Sequence, residues 1–260
     1  MPIIRIVVFN THDNVDRYWN QISKKLSKLP NDVLVLPEAY KEGSAQGRKV
    51  VNGIRAAGAI IADVPYNDAD TRKDRHHLVV VGNPEVVECI KPIQLVGRTA
   101  LLACLRGGID IIGVHLDDRQ EDMRRRQTEA LLNQVDPKRP TIIAGDMNSM
   151  HRDGWHAKAL RKVAPLAKVV LPTAEPGEKQ SKIERVGSLA TRLTMMAEGG
   201  PIKMLERVGY KDADSRWQAT KGFVQLDHIL VPKWMEVAKF AVQPMKDLSD
   251  HHAIAAELVI

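Results

Sequence analysis

The chain has 260 residues, of which 44% are hydrophobic and 4% aromatic, so it can bury a sizeable core made mainly of aliphatic side chains. We therefore expect a single domain spanning residues 1–260. The net charge of +6 favours an anionic partner, but it does not choose among nucleic acid, a phosphorylated small molecule and an acidic membrane surface.

The sequence carries no sign of secretion or of membrane insertion. No apolar stretch is long enough to cross a bilayer, and Met1 runs directly into an apolar strand pattern without the segments of a signal peptide. Cys89 and Cys104 each lie in an apolar run that is typical of a strand, so we expect buried free thiols and no disulfide framework. A cytoplasmic protein is the simplest expectation, and the sequence does not predict its oligomeric state.

Short β-branched runs recur along the chain and predict buried strands. These runs are residues 3–8, 33–36, 78–81, 101–105, 109–114, 141–144, 226–231 and 253–260. Helical periodicity is found over residues 16–29, 45–57 and 119–135. Strands outnumber helices, and several neighbouring strands are separated only by short turns. This mixture favours packed mixed sheets with helices outside them over a doubly wound parallel sheet.

The strongest local motif follows the predicted strand at 141–144. There, Gly145, Asp146 and Asn148 place a carboxylate and an amide at the end of an apolar run. Because side chains alternate along a strand, residues two apart can point to the same side. Such a pair can orient a water molecule and hold a phosphoryl oxygen or a metal ion. Asp and Asn are also favoured in ordinary turns, so this motif alone does not decide between the two interpretations.

Other apolar runs carry the same kinds of residue at their ends. Asn10, Glu38 and His115 each follow such a run, while Asp227 and His251 belong to two further segments late in the chain. Each residue alone is explained by a turn, a helix cap or a buried structural histidine. Their repetition beside apolar strands indicates a shared site, because all of them bind hard cations or transfer protons.

Taken in order along the chain, these segments resemble the motifs of the endonuclease/exonuclease/phosphatase superfamily, which includes pancreatic deoxyribonuclease, abasic-site endonucleases, sphingomyelinases and inositol polyphosphate phosphatases. The matching segments are Phe9-Asn10, Pro37-Glu38, Val114-His115-Leu116, Gly145-Asp146-Met147-Asn148, Leu226-Asp227-His228-Ile229 and Ser249-Asp250-His251. The resemblance implies an α/β fold in which two mixed β-sheets pack face to face with helices on their outer sides, a four-layer α/β/β/α sandwich.

The resemblance also implies a divalent metal ion, held chiefly by Glu38 with Asn10 and Asp250 beside it. Oxygen ligands without a cysteine cluster suit Mg²⁺ or Mn²⁺ better than Zn²⁺. Nucleases of this superfamily often have an aspartate two residues after the first asparagine, whereas this chain has His12 there, followed by Asp13. A second metal position is therefore not implied.

By the same resemblance, Asp146 activates the attacking water and Asn148 holds a phosphate oxygen. His251, oriented by Asp227, contacts the phosphate or transfers a proton. His115 protonates the leaving oxygen or binds the phosphoryl group. The chemistry asks for these residue types, because a phosphodiester is anionic and its transition state gathers charge on oxygen, which a cation and fixed donors must offset.

Four further basic residues lie near these segments. Arg75 and His76 precede the predicted strand at 78–81, and they are candidates for contacting a substrate phosphate. His228 and His252 each stand next to a motif residue, and we interpret both as structural or surface histidines.

Three functions are compatible with these motifs. The first is a metal-dependent phosphodiesterase or nuclease, which the positive charge supports because neutralising phosphates dominates affinity for nucleic acid. The sequence has no obvious aromatic-rich loop for stacking on bases, and Trp217 and Phe223 are the only late candidates for that role near the site. The second is a phosphatase or phosphodiesterase acting on small-molecule or lipid phosphoesters. The third, a non-catalytic binding module, is disfavoured because Glu38, Asp146 and His251 are all present. The sequence does not choose among DNA, RNA, lipid and small phosphoester substrates.

Overall fold

A computed structural model describes residues 2–65, 76–135, 139–151, 153–155, 157–162, 196–197 and 199–260. Within this part of the chain, the strands form two six-stranded sheets. The main helices are α1 (Val15–Leu26), α2 (Ala45–Ala56), α3 (Glu121–Leu132) and α4 (Gly200–Arg207). No described helix has the length and apolar character needed to span a bilayer.

The first sheet has the strand order β11-β12-β1-β2-β4-β3. Its strands are β1 (Ile3–Val8), β2 (Val33–Leu36), β3 (Ile60–Pro65), β4 (His77–Gly82), β11 (Glu236–Gln243) and β12 (Ala253–Val259). β1 and β2 run parallel, whereas β12 is antiparallel to β1 and β4 is antiparallel to β2.

The second sheet has the order β5-β6-β7-β8-β10-β9. Its strands are β5 (Val87–Leu95), β6 (Arg98–Leu105), β7 (Asp110–His115), β8 (Thr141–Asp146), β9 (Tyr210–Asp212) and β10 (Asp227–Pro232). β7 and β8 run parallel, and β10 is antiparallel to β8.

This connectivity brings the polar motif residues to one edge of each sheet. The carboxyl ends of β1 and β2 meet the amino ends of β12 and β4, because antiparallel neighbours start where their partners finish. In the second sheet, the carboxyl ends of β7 and β8 meet the amino end of β10. Residues far apart in the chain can therefore share one site.

The hydrophobic core is arranged in layers. One cluster lies between the sheets and combines side chains from both, such as Ile6 and Val35 from the first and Ile111 and Ile142 from the second. A second cluster joins the other face of the first sheet to α1 and α2. A third joins the other face of the second sheet to α3 and α4. These layers confirm the predicted four-layer sandwich of two mixed sheets flanked by helices.

The strand predictions based on β-branched runs are confirmed, and two of them, at 3–8 and 33–36, match β1 and β2 to the residue. Helices α1, α2 and α3 lie within the predicted helical ranges apart from one residue at the start of α1. Strands β3, β9 and β11 and helix α4 were not predicted, and β5 was indicated only by the apolar run that contains Cys89. All four of these strands are outer strands of their sheets and bear mostly exposed or part-exposed side chains, so they lack a continuous buried run.

The expectation of buried cysteines is wrong, although both thiols are free. Cys89 is exposed and Cys104 is part-exposed. They lie opposite each other on β5 and β6, and β5 is an edge strand of the second sheet. The apolar runs around these two cysteines therefore predicted more burial than they have at the edge of the sheet.

Candidate active site

Three motif residues lie side by side on the central strands of the second sheet. Asp146 at the end of β8 is in register with His115 at the end of β7 and with Asp227 at the start of β10. All three side chains are buried. The strand pairing itself therefore builds the floor of the site.

Asp146 is at the centre of this site and is 2% exposed. Its Oδ1 accepts a hydrogen bond from the backbone N–H of Asn148 at 2.8 Å, and its Oδ2 accepts one from Nδ2 of Asn10 at 2.9 Å. Burial and the nearby charge of Asp227 raise the pKa of Asp146 to about 6. The preceding Gly145 has a φ of +149°, and a Cβ there would meet the carbonyl oxygen of Val114 at 2.0 Å, so glycine is required.

His251 and Asp227 form a buried pair beside Asp146. Nδ1 of His251 donates a hydrogen bond to Oδ2 of Asp227 at 2.7 Å, while Nε2 faces Oδ2 of Asp146 at 3.9 Å. Although burial lowers the pKa of His251, the charge and hydrogen bond of Asp227 raise it to about 9. The imidazole is therefore protonated at neutral pH, and its Nε2–H is directed toward the site.

His115 has the opposite electrostatic character. Burial and the charge of Arg98 hold its pKa well below the ordinary histidine value, so the ring is neutral. Its Nε2 lies 3.0 Å from Nδ2 of Asn148, which also donates to the backbone carbonyl of Leu116 at 3.1 Å. The amide of Asn148 is thereby fixed against the end of β7.

A second group of possible metal ligands lies at the edge of the first sheet. Ligand atoms of Asp13, Glu38 and His76 all lie within 4.8 Å of one another, and the three residues are part-exposed. Nδ1 of His76 is 2.6 Å from Oδ1 of Asp13. Asp13 and Glu38 have positive φ angles of 59° and 46°, a conformation that costs energy for residues other than glycine. This donor set can accept a divalent cation.

Asn10 and Asp250, the other two residues expected beside the metal, have different partners. Asn10 binds Asp146 through its side-chain amide. Oδ1 of Asp250 lies 3.0 Å from Nδ1 of His12, and Oδ2 lies 2.8 Å from Nζ of Lys221. Although burial raises the pKa of Asp250, the hydrogen bond and charge of Lys221 lower it to about 2.

A bridge across the two sheets joins these groups. Nε2 of His115 lies 3.6 Å from Oε1 of Glu38 and 3.8 Å from Oδ2 of Asp146. The Asp13–Glu38–His76 group of the first sheet and the Asp146 group of the second sheet therefore face each other across His115.

Sequence reasoning missed two basic residues of this site. Arg98 is buried, and its guanidinium donates to the backbone carbonyls of His115 and Leu116 at 2.9 and 2.7 Å. It supports the end of β7 from beneath. Lys221 reaches the site through a turn that precedes β10. Neither residue belongs to a strand-end motif, so the sequence pattern gave no signal for them.

The remaining candidates are more peripheral. Arg75 lies outside the described residues, so only His76 of that pair has a known position. Both ring nitrogens of His228 are engaged, Nδ1 by Asp212 and Nε2 by the backbone carbonyl of Ser149, which agrees with a structural histidine. Phe223 is 55% exposed and stands two residues from Lys221.

Comparisons with known proteins agree with this architecture. The sequence model of the Endonuclease/Exonuclease/phosphatase family matches residues 14–251. The solved 3′ phosphatase NExo from Neisseria, bound to product DNA hairpin, is 13% identical with a TM-score of 0.63, covering 99% of this chain and 100% of that one. An AP endonuclease from Archaeoglobus fulgidus is 14% identical with a TM-score of 0.60, covering 97% and 98%.

A third solved structure, the mannosyl-6-phosphatase Bt3783 from Bacteroides thetaiotaomicron, is 11% identical with a TM-score of 0.60 and covers 99% of this chain and 100% of that one. At these identities the solved structures show the fold alone. A search of curated protein sequences found no match.

Proposed function

Because the chain belongs to the endonuclease/exonuclease/phosphatase family, we propose that it is a divalent-metal-dependent phosphoester hydrolase that cleaves nucleic-acid phosphodiesters with an activated water molecule. The observation that carries this proposal is the convergence of Asp146, Asp227 and His251, whose polar atoms lie within 4.8 Å of one another in a buried group. Such a group handles protons, and the residues around it offer hydrogen bonds to a phosphate.

Asp146 is the group that accepts the proton of the attacking water. Its pKa of about 6 makes it a carboxylate at neutral pH and a stronger base than an ordinary aspartate. The hydrogen bonds from Asn10 and from the backbone of Asn148 fix its two oxygens, so the base is oriented before substrate binds.

His251 supplies a positive charge and a proton at Nε2. With a pKa of about 9, its imidazolium can donate a hydrogen bond to a non-bridging oxygen of the phosphate. Asp227 holds the ring in place through Nδ1 and stabilises its charge. This stabilisation grows as the phosphate oxygens gain charge in the transition state.

His115 and Asn148 act as one unit that holds a second phosphoryl oxygen. The neutral ring of His115 accepts from the amide of Asn148 and fixes its orientation. Both N–H groups of the Asn148 amide are already engaged, by Nε2 of His115 and by the carbonyl of Leu116, so the amide holds a phosphate oxygen by exchanging its bond to Leu116. A neutral ring that accepts at Nε2 has no proton there to give to the leaving oxygen or to a phosphoryl oxygen, so this arrangement supports only indirect binding of the phosphate by His115, through Asn148.

The donor chemistry of Asp13, Glu38 and His76 fits a divalent ion. Two carboxylates and an imidazole suit Mn²⁺ at least as well as Mg²⁺, which prefers oxygen ligands. The ion supplies positive charge that offsets the anionic phosphate when it is bound. Glu38 lies 3.6 Å from His115, so that charge is adjacent to the phosphate-binding unit.

Nucleic acid is the substrate class that the surface favours. The net charge is +6, and the exposed ring of Phe223 lies near the His251 segment, where an unstacked base can pack on it. The positive charge also suits the second candidate, a small-molecule or lipid phosphoester, but that candidate makes no use of an exposed aromatic ring. Related folds include proteins named for both substrate classes, so the choice needs an experiment.

The test is a panel of plasmid DNA, single-stranded DNA, abasic DNA, 3′-phosphorylated DNA, RNA and bis-para-nitrophenyl phosphate, each with Mg²⁺ or Mn²⁺. We expect cleavage of at least one polynucleotide, and a loss of about 10³-fold in kcat for Asp146→Asn. The matched control is Asp122→Asn, an exposed aspartate of α3, which should leave kcat unchanged. Cleavage of the small diester alone would favour the second candidate, and equal activity of wild type and Asp146→Asn would refute a catalytic site here.

A further inference from the structure

Lys221 brings a positive charge into the candidate active site. Its Nζ lies 2.8 Å from Oδ2 of Asp250, and its charge also acts on Asp146 and Glu38. The side chains of Lys221 and Asp250 are 38% and 43% exposed, so the pair is open to solvent and substrate. An ammonium group has three N–H donors, of which Asp250 uses one, so the others can bind an anion.

The turn that carries Lys221 is fixed to the His251–Asp227 pair. Lys221 and Val224 exchange backbone hydrogen bonds at 2.9 Å in both directions, which closes a tight turn. The hydroxyl of the preceding Thr220 accepts from the backbone N–H of Asp227 at 3.1 Å, and Lys221 forms a β-bridge with His251. The lysine backbone is therefore held in register with His251, which is proposed to contact the phosphate, and the adjoining Thr220 is bonded to Asp227, which orients that histidine.

Asp250 is occupied by basic groups on both of its oxygens. Lys221 lies on Oδ2 and His12 lies on Oδ1 at 3.0 Å. Among the described residues, the group whose ligand atoms converge around Glu38 consists of Asp13 and His76, without Asp250. The ammonium group of Lys221 thus lies beside the carboxylate of Asp250, for which the family resemblance implied contact with a metal ion.

We propose that Lys221 is a catalytic residue whose ammonium binds a non-bridging oxygen of the scissile phosphate, so that Asp250 positions this lysine and does not ligate the metal ion. This inference rests on the proposed function. Lys221 stays protonated throughout, and its role is to offset phosphate charge together with His251. A purely structural ion pair is the competing explanation, and it predicts no effect on turnover because an exposed pair contributes little even to stability.

The first experiment compares Lys221→Met and Lys221→Arg with wild type on the diester that the wild type cleaves fastest. We expect Lys221→Met to lose about 100-fold in kcat/KM, and Lys221→Arg to recover about tenfold of that loss because it keeps the charge. The matched control is Lys239→Met, since Lys239 also pairs with a carboxylate, Glu257, but lies on β11 away from the site. This control should match wild type.

Mn²⁺ binding, followed by the electron paramagnetic resonance of the free ion, separates Lys221 from the metal ligands. We expect Lys221→Met and Asp250→Asn to bind Mn²⁺ as tightly as wild type, while Glu38→Gln binds it more weakly. Weaker Mn²⁺ binding by Asp250→Asn would overturn the positioning role of Asp250. An unchanged kcat/KM in Lys221→Met, or no recovery in Lys221→Arg, would overturn the catalytic role of Lys221.

Binding of inorganic phosphate by calorimetry in the presence of Mn²⁺ distinguishes this inference from the proposed function. We expect wild type to bind phosphate and Lys221→Met to bind it about tenfold more weakly. A wild type that binds phosphate through Lys221 but hydrolyses no phosphoester would refute the proposed function alone. A wild type that hydrolyses phosphoesters while Lys221→Met binds phosphate equally well would refute the role of Lys221 alone.

Discussion

Asp227 and His228 are consecutive residues of β10, and each belongs to a buried histidine–aspartate pair, yet the two pairs face opposite sides of the sheet. In the first pair, Nε2 of His251 faces Asp146 at 3.9 Å, which is too long for a direct hydrogen bond. In the second pair, Nε2 of His228 is bound by the carbonyl of Ser149. The two histidine–aspartate pairs therefore have different roles, because only the ring of His251 presents a nitrogen atom to the site.

A third pair, His76 with Asp13, extends this comparison. It is part-exposed and joins Glu38 in a group that can hold a cation. Although burial lowers the pKa of His76, its hydrogen bond and charge interaction with Asp13 raise it above the ordinary value. A metal ion must therefore compete with a proton for this ring. The surroundings of a histidine–aspartate pair therefore decide whether it is suited to transferring protons, to stabilising the fold or to binding a metal ion.

The largest expected effect separates the two buried pairs. We expect Asp227→Asn to lower kcat about 10³-fold, because the imidazolium of His251 loses its main stabilising charge. The matched variant Asp212→Asn should leave kcat unchanged and lower the stability of the fold, because Asp212 pairs with the structural His228. Steady-state kinetics and urea unfolding of both variants measure this. Equal loss of kcat in the two variants would break the comparison.

The next effect concerns the part-exposed pair. We expect His76→Gln to raise the dissociation constant for Mn²⁺ by about 10- to 100-fold, with kcat restored at saturating Mn²⁺. In wild type, Mn²⁺ affinity should rise with pH as the raised pKa of His76 is passed. Calorimetric titration measures the dissociation constant for Mn²⁺ and its pH dependence, and steady-state kinetics measure kcat at saturating Mn²⁺. The matched control is His252→Gln, because His252 lies outside the group of possible ligands. Activity that saturating Mn²⁺ does not restore would place His76 in catalysis and not in metal binding.

A smaller effect follows from the pKa of Asp146, which burial and Asp227 raise to about 6. We expect kcat/KM to fall about tenfold per pH unit below that value, because the base is lost when Asp146 is protonated. In Asp227→Asn this acid limb should move to lower pH, because the charge of Asp227 raises the pKa of Asp146 more than the charge of His251 lowers it. Rates on a diester substrate from about pH 5 to about pH 8 measure the limb, and circular dichroism at each pH checks folding. An acid limb unmoved by Asp227→Asn would assign it to another group.

The sequence predicted the central strands well and the outer ones poorly. β1 and β2 lie in the middle of a sheet and are mostly buried, so each appears in the sequence as a continuous aliphatic run. β11 pairs with β12 although most of its side chains are part-exposed, and its pairing is decided by the neighbouring strand more than by its own residues. Helix α4 begins with Gly200 and Pro201, which read locally as a turn.

The residues of the candidate site were predictable where they lie at the end of a strand. Glu38, His115 and Asp146 follow apolar runs, and parallel pairing within each sheet then brings their strand ends to one edge. The partners of Asp250 were not predictable, because Lys221 arrives through a turn and its contact depends on the three-dimensional packing of that turn. The motifs identified residues that the structure brings together, but not which of them bind each other.

The smallest effect tests the structural pair through stability. Although burial lowers the pKa of His228, the charge of Asp212 raises it above the ordinary value of about 6.5. A raised folded-state pKa gives stability that is complete below the unfolded pKa and is lost as the pH rises through the folded one. We therefore expect His228→Asn to lower the free energy of unfolding by about 3 kcal/mol in mild acid, and by less in alkali. Urea unfolding at the two pH values measures this difference, and a loss that grows with pH would mean that the buried ring is neutral and that its hydrogen bonds alone hold Asp212 and Ser149 together.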